Sequence, residues 1–226
     1  KAALKQVCLA VVGTRKPTAY GRESCSKLLA PVCKQGATII SGLATGIDTM
    51  AHNAALNNGS RTIAVLASGL ETIYPRHNLD LAEQIIARGA LVSEFEPGTK
   101  IDPWNFVARN RIISALAQSV FIVEGALNSG AMITAKHAIE QNRDVMALPG
   151  EINHPNAQGP NYLIKNGAQC VTTPQDILSA LGLQTEADEQ LEILPPISPD
   201  EQKIYELFQT EQRELNFDEL LLRSGH

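Results

Sequence analysis

Residues 7–15 have the sequence VCLAVVGTR, which predicts a buried strand followed by a turn. Six consecutive apolar residues are typical of a strand covered on both faces, and the glycine after them ends the strand. Similar short segments rich in valine and isoleucine alternate with helical patterns up to residue 183. The predicted strands are Val7–Val12, Thr38–Ile40, Thr62–Leu66, Leu91–Ser93, Val120–Val123, Val145–Leu148 and Cys170–Thr172. The predicted helices are Gly21–Lys34, Ile47–Asn57, Leu79–Ala87, Phe106–Ala117, Met132–Gln141 and Pro174–Leu181. This alternation predicts an α/β, Rossmann-like, doubly wound and mostly parallel sheet with helices on both faces.

The sequence divides into a core, a linker and a short appendage. Residues 1–183 carry the α/β pattern, and residues 184–199 are acidic, contain three prolines and lack periodicity, as linkers do. Residues 200–226 hold two short amphipathic segments, which predict the start of a truncated, winged-helix-like module. The stretch Ser198-Pro199-Asp200-Glu201 is typical of a helix start.

The negative charge of the chain belongs to its C-terminal part. The net charge is −5, but residues 184–226 hold eleven acidic and three basic residues, a net of −8. Residues 1–183 therefore carry +3, from 16 basic and 13 acidic residues. Because the distribution of charge matters more than its total, a polyanionic partner for the core is compatible with this composition.

Composition indicates a cytoplasmic protein that uses neither metal nor cofactor. No apolar run approaches the roughly 18 residues of a membrane span. The four cysteines have no metal-binding spacing, and we expect them to be buried free thiols. The five histidines form no metal or nucleophile–base pattern, and no GxSxG motif is present, so no catalytic residue is assigned. His52 lies four residues after Asp48, and we expect a hydrogen bond between them on one helix face.

Three glycine-bearing turns follow predicted strands, at residues 13–17, 41–48 and 124–131. Since the carboxyl ends of parallel strands meet at one sheet edge, these turns predict an anion site there. It is not a dinucleotide site, because the first turn lacks GxGxxG, and the chain has no P-loop. Arg15 in the first turn suits a phosphodiester, which a guanidinium grips with two hydrogen bonds, although a surface salt bridge is the alternative role.

A basic and aromatic stretch opens the fourth predicted helix. Phe106 could stack on a base or pack in the core, and both roles stay open. Arg109 and Arg111 lie near the positive end of the helix dipole, so their charges need compensation. They cannot face one direction, and we expect one of them to make an internal ion pair with Glu94 or Glu124.

An ordered set of motifs resembles the DprA/Smf family of DNA-processing proteins. The motifs are residues 11–15 (VVGTR), 41–52 (SGLATGIDTMAH), 74–78 (YPRHN), 93–98 (SEFEPG), 109–113 (RNRII), 129–135 (SGAMITA), 149–150 (PG) and 159–161 (GPN). The resemblance implies a non-enzymatic single-stranded-DNA-binding protein that forms homodimers and loads the RecA recombinase onto incoming strands during natural transformation. It also implies DNA contacts from Arg15, Phe106 and Arg76. Some relatives have a contacting lysine where this chain has Pro103, and Lys100 or Lys136 are the candidates to replace it.

The candidate DNA-binding residues join those from the resemblance to those from the strand-end turns. They are Gly13, Thr14, Arg15, Lys16, Ser41, Gly42, Arg76, Phe106, Arg109, Asn110, Ser129, Gly130 and Lys136. The alternative function is a Rossmann-like enzyme that cleaves nucleotide N-glycosidic bonds. Such enzymes carry a PGGxGT-type motif with a nearby catalytic glutamate. The comparable stretch here, residues 124–130 (EGALNSG), lacks the paired glycines.

Overall fold

In the computed structural model, which describes residues 7–183 together with Ser198 and Glu201, seven strands form one parallel sheet. The strands are β1 Cys8–Val12, β2 Thr38–Ser41, β3 Thr62–Val65, β4 Ala90–Val92, β5 Ser119–Ile122, β6 Asp144–Ala147 and β7 Gln169–Cys170. The α-helices are α1 Ala19–Lys34, α2 Ile47–Asn57, α3 Leu79–Arg88, α4 Pro103–Ala115, α5 Gly130–Glu140, α6 Gln158–Lys165 and α7 Pro174–Ala180. Short 3₁₀ turns span Arg76–Asn78 and Pro155–Ala157.

The strand order is β4-β3-β2-β1-β5-β6-β7, so the chain begins at the middle of the sheet. It winds outward to β4, returns through α4 to pair β5 with β1, and then winds outward to β7. Ala10 of β1 therefore has Ile40 as its neighbour on one side and Val120 on the other. The reversal point lies between β1 and β5, where doubly wound proteins open a crevice beyond the strand ends.

Helices cover both faces of the sheet, as expected for strands that are apolar at consecutive positions. One face packs against α1, α2 and α7, and the buried side chains there include Leu29, Ala51 and Ile177. The opposite face packs against α4, α5 and α6 through residues such as Ile113 and Ala135. Every residue of β1, β2, β3 and β5 is buried. The predicted fold class is confirmed.

Two helix predictions need correction. The fourth helix begins at Pro103 rather than Phe106, because the Asp102 side chain accepts a hydrogen bond from the Trp104 N–H and caps it, with proline in the first turn. The predictions also missed α6. Its start, Gln158-Gly159-Pro160, contains two residues that disfavour helix interiors, but Pro160 lies in the first turn, where no N–H is needed.

No disulfide joins the four cysteines, all of which lie in the described part of the chain, but not all of them are buried. Cys8, Cys25 and Cys33 are buried, and burial raises the pKa of Cys25 and of Cys33 to about 12. The expectation was wrong for Cys170, which is exposed on β7 at the end of the strand order.

The predicted linker and winged-helix-like module lie outside the described residues, apart from Ser198 and Glu201. These two form a reciprocal capping box: the Ser198 N–H donates to Glu201 Oε2 at 2.7 Å, and the Glu201 N–H donates to Ser198 Oγ at 3.3 Å. This arrangement is typical of a helix N-terminus. Among the helices that the structure describes, none combines the length and apolarity that crossing a membrane requires.

Candidate nucleic-acid interface

An open cavity of about 660 Å³ lies at the carboxyl ends of the central strands, beside α4. We call it the strand-end cavity. The loop after β1, the loop after β2, α4 and the start of α5 all contribute to its wall. Eight of the candidate DNA-binding residues line it, namely Gly13, Thr14, Arg15, Phe106, Arg109, Asn110, Ser129 and Gly130. The fold thus brings together residues that are more than 100 positions apart in sequence.

Arg15 and two aromatic rings form one wall of the cavity. The Arg15 guanidinium carbon lies 5.2 Å from the centre of the Phe106 ring, within cation–π range. Phe106 also meets the Tyr74 ring edge-on, with 5.6 Å between the centroids and an interplanar angle of 66°. Arg15 and Tyr74 are exposed, and Phe106 is partly buried and belongs to none of the apolar core clusters. Phe106 is therefore a cavity residue rather than a core residue.

Close packing of two loops holds Arg15 at the cavity mouth. Gly46 has a φ of +82°, and a Cβ at this position would overlap the Thr14 carbonyl and the Arg15 backbone. The absence of a side chain lets the Ile47 N–H donate to the Thr14 carbonyl at 3.2 Å. Only glycine can adopt this positive φ and also leave room for the backbone of Thr14 and Arg15. The loop after β2 therefore supports the loop that carries Arg15.

Arg109 is buried and forms the floor of the cavity. Its Nη1 donates to the Gly42 carbonyl at 2.7 Å and to the Val65 carbonyl, and its Nε donates to Asn110 Oδ1 at 3.2 Å. Burial lowers the pKa of Arg109 to about 10, and the Asp48 carboxylate opposes that shift. The side chain therefore stays cationic at neutral pH while it joins the ends of β2 and β3.

Asp48 supplies the opposite charge beneath the cavity. Its Oδ2 accepts hydrogen bonds from the N–H groups of Gly42 at 3.1 Å and Ala44 at 3.3 Å. Burial raises the pKa of Asp48, and the nearby Arg109 lowers it. The carboxylate fixes the conformation of the loop after β2 and balances part of the buried positive charge.

The start of α5 closes the far side of the cavity. Ser129 is the N-cap residue, and its side chain makes no capping hydrogen bond. Asn110 Nδ2 donates to the Gly130 carbonyl at 3.2 Å, so α4 and α5 are joined directly above the cavity. The N–H groups at a helix start carry partial positive charge, which favours an anion beside Ser129 and Gly130.

The remaining five candidates do not line the cavity. Lys16 and Arg76 are exposed next to lining residues, Arg15 and Tyr74 respectively. The Ser41 hydroxyl is buried and donates to the Val11 carbonyl at 2.6 Å. Gly42 lies against the Arg109 guanidinium, where a Cβ would overlap it. Lys136 lies on α5, with its ammonium 3.8 Å from Glu140.

The predicted ion pair of an α4 arginine forms, but at the surface rather than in the interior. Arg111 pairs with Glu94, as one of the two arginines was expected to do, and both side chains are partly exposed. Arg109 is compensated by carbonyl oxygens and Asp48, not by Glu94 or Glu124. Since α4 begins at Pro103, Arg109 lies in the middle of the helix, and the expected opposition to the helix dipole does not apply.

His52 does not bond to Asp48, contrary to expectation. Its Nδ1 lies 2.7 Å from Thr62 Oγ1, and the Thr62 hydroxyl donates to the Ile39 carbonyl. Nδ1 must therefore carry the hydrogen and donate it. Burial lowers the pKa of His52 to about 3, so the ring is neutral at physiological pH.

Sequence reasoning did not place two residues in the site. Tyr74 was only part of a motif, and Asp48 was expected to bond to His52. The sequence signal for Asp48 was its position in the first turn of α2, directly after a glycine-rich loop with free N–H groups. Tyr74 had no comparable signal, because the contact with Phe106 spans 32 positions in sequence.

The chain is similar to several known proteins. A family model described as DNA recombination-mediator protein A matches residues 1–182. The chain is similar to DNA processing protein DprA of Bacillus subtilis (strain 168), with 46% identity over 173 residues, which cover 76% of the chain and 58% of that protein. It is also similar to Protein Smf of Escherichia coli (strain K12), with 48% identity over 180 residues, which cover 79% of the chain and 48% of that protein.

A solved structure is similar over most of both chains. This is DNA processing protein A from Helicobacter pylori, reported for the single-stranded-DNA binding mode of that protein; the TM-score is 0.73 and the identity 32%, covering 80% of this chain and 82% of that one. The chain spans about half the length of the curated relatives it matches. The match of the family model and this similarity show that the chain belongs to the DprA/Smf family of DNA-processing proteins.

Proposed function

We propose that the chain binds single-stranded DNA in the strand-end cavity and that it acts there without breaking bonds. The observation that carries this proposal is the arrangement of Arg15, Phe106 and Tyr74 around one opening. A guanidinium grips a phosphodiester, and aromatic faces stack on bases of any sequence. Both types of group are needed for a strand whose bases are unpaired.

The rest of the cavity supports binding of the strand's backbone. Lys16 and Arg76 are exposed beside the opening, and the start of α5 faces it. Arg109 and Asp48 are buried beneath the opening and carry opposite charges. We assign Arg109 and Asn110 mainly to holding the walls in place, and Arg15, Lys16 and Arg76 to the phosphates. Lys136 is the weakest of the candidates, because it is paired with Glu140 and lies outside the lining.

We infer that the protein is a recombination mediator. The matching family model is described as DNA recombination-mediator protein A, and the report on the H. pylori relative describes single-stranded DNA binding by that protein. In this proposal the chain works in the cytoplasm as a homodimer, protects incoming strands and loads RecA onto them during natural transformation. The domain division proposed here is residues 1–183 for DNA binding, residues 184–199 as linker and residues 200–226 as the start of a winged-helix-like module.

The alternative function, nucleotide N-glycosidic cleavage, would make Glu124 the natural candidate for a catalytic carboxylate. Its two oxygens instead accept hydrogen bonds from Thr18, at 2.5 Å and 2.9 Å. A carboxylate held in this way has little freedom to act on a substrate. This favours binding over catalysis.

Competition binding tests the proposed ligand. Fluorescence anisotropy of labelled oligo-dT bound to the chain is followed while unlabelled oligo-dT or a duplex of equal length is added. We expect the single strand to displace the label at concentrations at least about tenfold lower than the duplex. Equal displacement by the duplex would contradict single-strand binding. The mediator role is tested separately, by the rate at which RecA filaments form on strands presented with and without the protein.

A further inference from the structure

A buried carboxylate from the end of β5 occupies the N-terminus of α1. Glu124 is 5% exposed. Its Oε2 accepts the Thr18 N–H at 2.9 Å, and its Oε1 accepts the Thr18 hydroxyl at 2.5 Å. Gly21 in the first turn of α1 faces the carboxylate, and a Cβ there would overlap it. The protein's own anion is therefore seated at this helix end.

This helix end is where nucleotide-binding α/β proteins place a phosphate. In their first strand–turn–helix unit, the phosphate lies against the N-terminus of the helix that follows the first strand. The corresponding helix here is α1, which follows β1 through the loop of residues 13–18. A phosphate at that position would compete with Glu124 for the Thr18 donors. It would also meet a like charge, which disfavours binding.

The space beside this end of α1 is large enough for a small ligand, but its lining is acidic. A cavity of about 650 Å³ lies beside this helix end, lined by residues that include Thr18, Tyr20, Glu124 and Glu151. We call it the α1 cavity. Its volume falls in the range of small-ligand sites. The lining presents two carboxylates, and no Lys or Arg of the described residues is among its lining residues.

We infer that Glu124 is a specificity-determining residue whose carboxylate takes the place of a nucleotide phosphate at α1. Phosphates are thereby excluded from the α1 side of the loop after β1. An anionic ligand can then bind this loop only on the side where Arg15 lies. Exclusion of phosphate by Glu124 does not depend on whether the strand-end cavity binds DNA.

Pyrophosphate binding by a variant tests this inference. Glu124→Ala frees the Thr18 N–H and hydroxyl and removes the charge, so we expect the variant to acquire pyrophosphate binding in metal-free buffer. The dissociation constant, measured by calorimetry and by the rise in melting temperature, should be at least about tenfold below that of the parent chain. Glu151→Ala is the matched control: it removes an exposed carboxylate from the same cavity but frees no Thr18 donor, and it should behave like the parent.

Three results would overturn the inference. The first is a folded Glu124→Ala variant that binds pyrophosphate no better than the parent. The second is an equal gain in Glu151→Ala, since general charge rather than the seated carboxylate would then be the cause. The third is binding by the parent chain itself, with amide protection at residues 18–21. If the alanine variant does not fold, Glu124→Ser provides the same test, because its short side chain leaves the helix end open.

Discussion

Replacing Phe106 with alanine separates a base-stacking residue from a core residue. The Phe106 ring is partly buried, meets Tyr74 edge-on and lies beneath Arg15, and it is absent from the apolar core clusters. Stacking on one base is worth about 1–3 kcal/mol, which corresponds to an affinity loss of about 5- to 150-fold. Truncating a fully buried phenylalanine costs about 3–5 kcal/mol of fold stability. Because Phe106 is only partly buried, we expect its truncation to cost less than this range.

The assay for Phe106→Ala combines oligo-dT affinity with the melting temperature. We expect the oligo-dT affinity to fall by about 5- to 150-fold. The melting temperature should drop by less than about 10 °C, since 1 kcal/mol corresponds to about 2–4 °C in a domain of this size. Phe121→Ala is the matched control, because Phe121 is fully buried in β5 and should lower the melting temperature much further. A large stability loss with unchanged affinity of the folded fraction would refute the stacking role.

Arg15→Ala should weaken oligo-dT binding and reduce the salt slope by about 0.7 for each phosphate that the variant no longer neutralises. Arg61→Ala, an exposed arginine at the amino end of β3, is the control and should change neither; an unchanged slope in folded Arg15→Ala removes Arg15 from the site. The chain should release no free base from nucleoside monophosphates, and release that scales with protein and disappears in Glu124→Gln would establish an enzyme instead. Deleting residues 184–226 removes a net charge of −8 and should preserve or slightly strengthen oligo-dT binding, most visibly at low salt, because charges beyond about 8–10 Å are screened; a loss of tenfold or more would place part of the site in that segment. Burial lowers the pKa of His52 from 6.5 to about 3, so between these two pH values only the unfolded chain binds a proton at His52. The free energy of unfolding should therefore fall by about 2 kcal/mol between pH 7 and pH 5. His52→Asn, whose amide can still donate to Thr62, should lose less over this range, and equal losses in melting experiments would contradict the assignment.

The sheet was predictable because its strands carry an unusually clear signal. Segments such as Val120–Val123 are apolar at consecutive positions, which only strands covered on both faces require. Their parallel arrangement follows from the helices between them. The missed helix, α6, shows the limit of this approach. Gly159 and Pro160 disfavour a helix interior, but they lie in the first turn of α6. The helix is stabilised by the packing of Leu163 in the core, which the local sequence does not show.

The site was predictable in its parts but not in its contacts. Arg15 and Phe106 were identified by residue type and motif, yet their stacking depends on α4 lying beside the loop after β1. The role of Arg109 also depends on tertiary structure. A basic residue near a predicted helix start implied a charge that needs compensation, but only the fold shows that the Gly42 carbonyl and Asp48 provide it. Such pairings span tens of positions, and no local pattern encodes them.

The salt dependence of binding to oligo-dT, compared with a duplex of equal length, tests the central claim most directly. Arg15 lines the cavity, and two further exposed basic residues, Lys16 and Arg76, lie within two positions of the lining residues Arg15 and Tyr74 in sequence. If each neutralises one phosphate, the logarithm of the binding constant should fall linearly with the logarithm of salt concentration, with a slope of about −2 for the single strand. We expect this slope, with weaker binding of the duplex at every salt concentration. A slope near zero, or duplex binding as tight as that of oligo-dT, would contradict it.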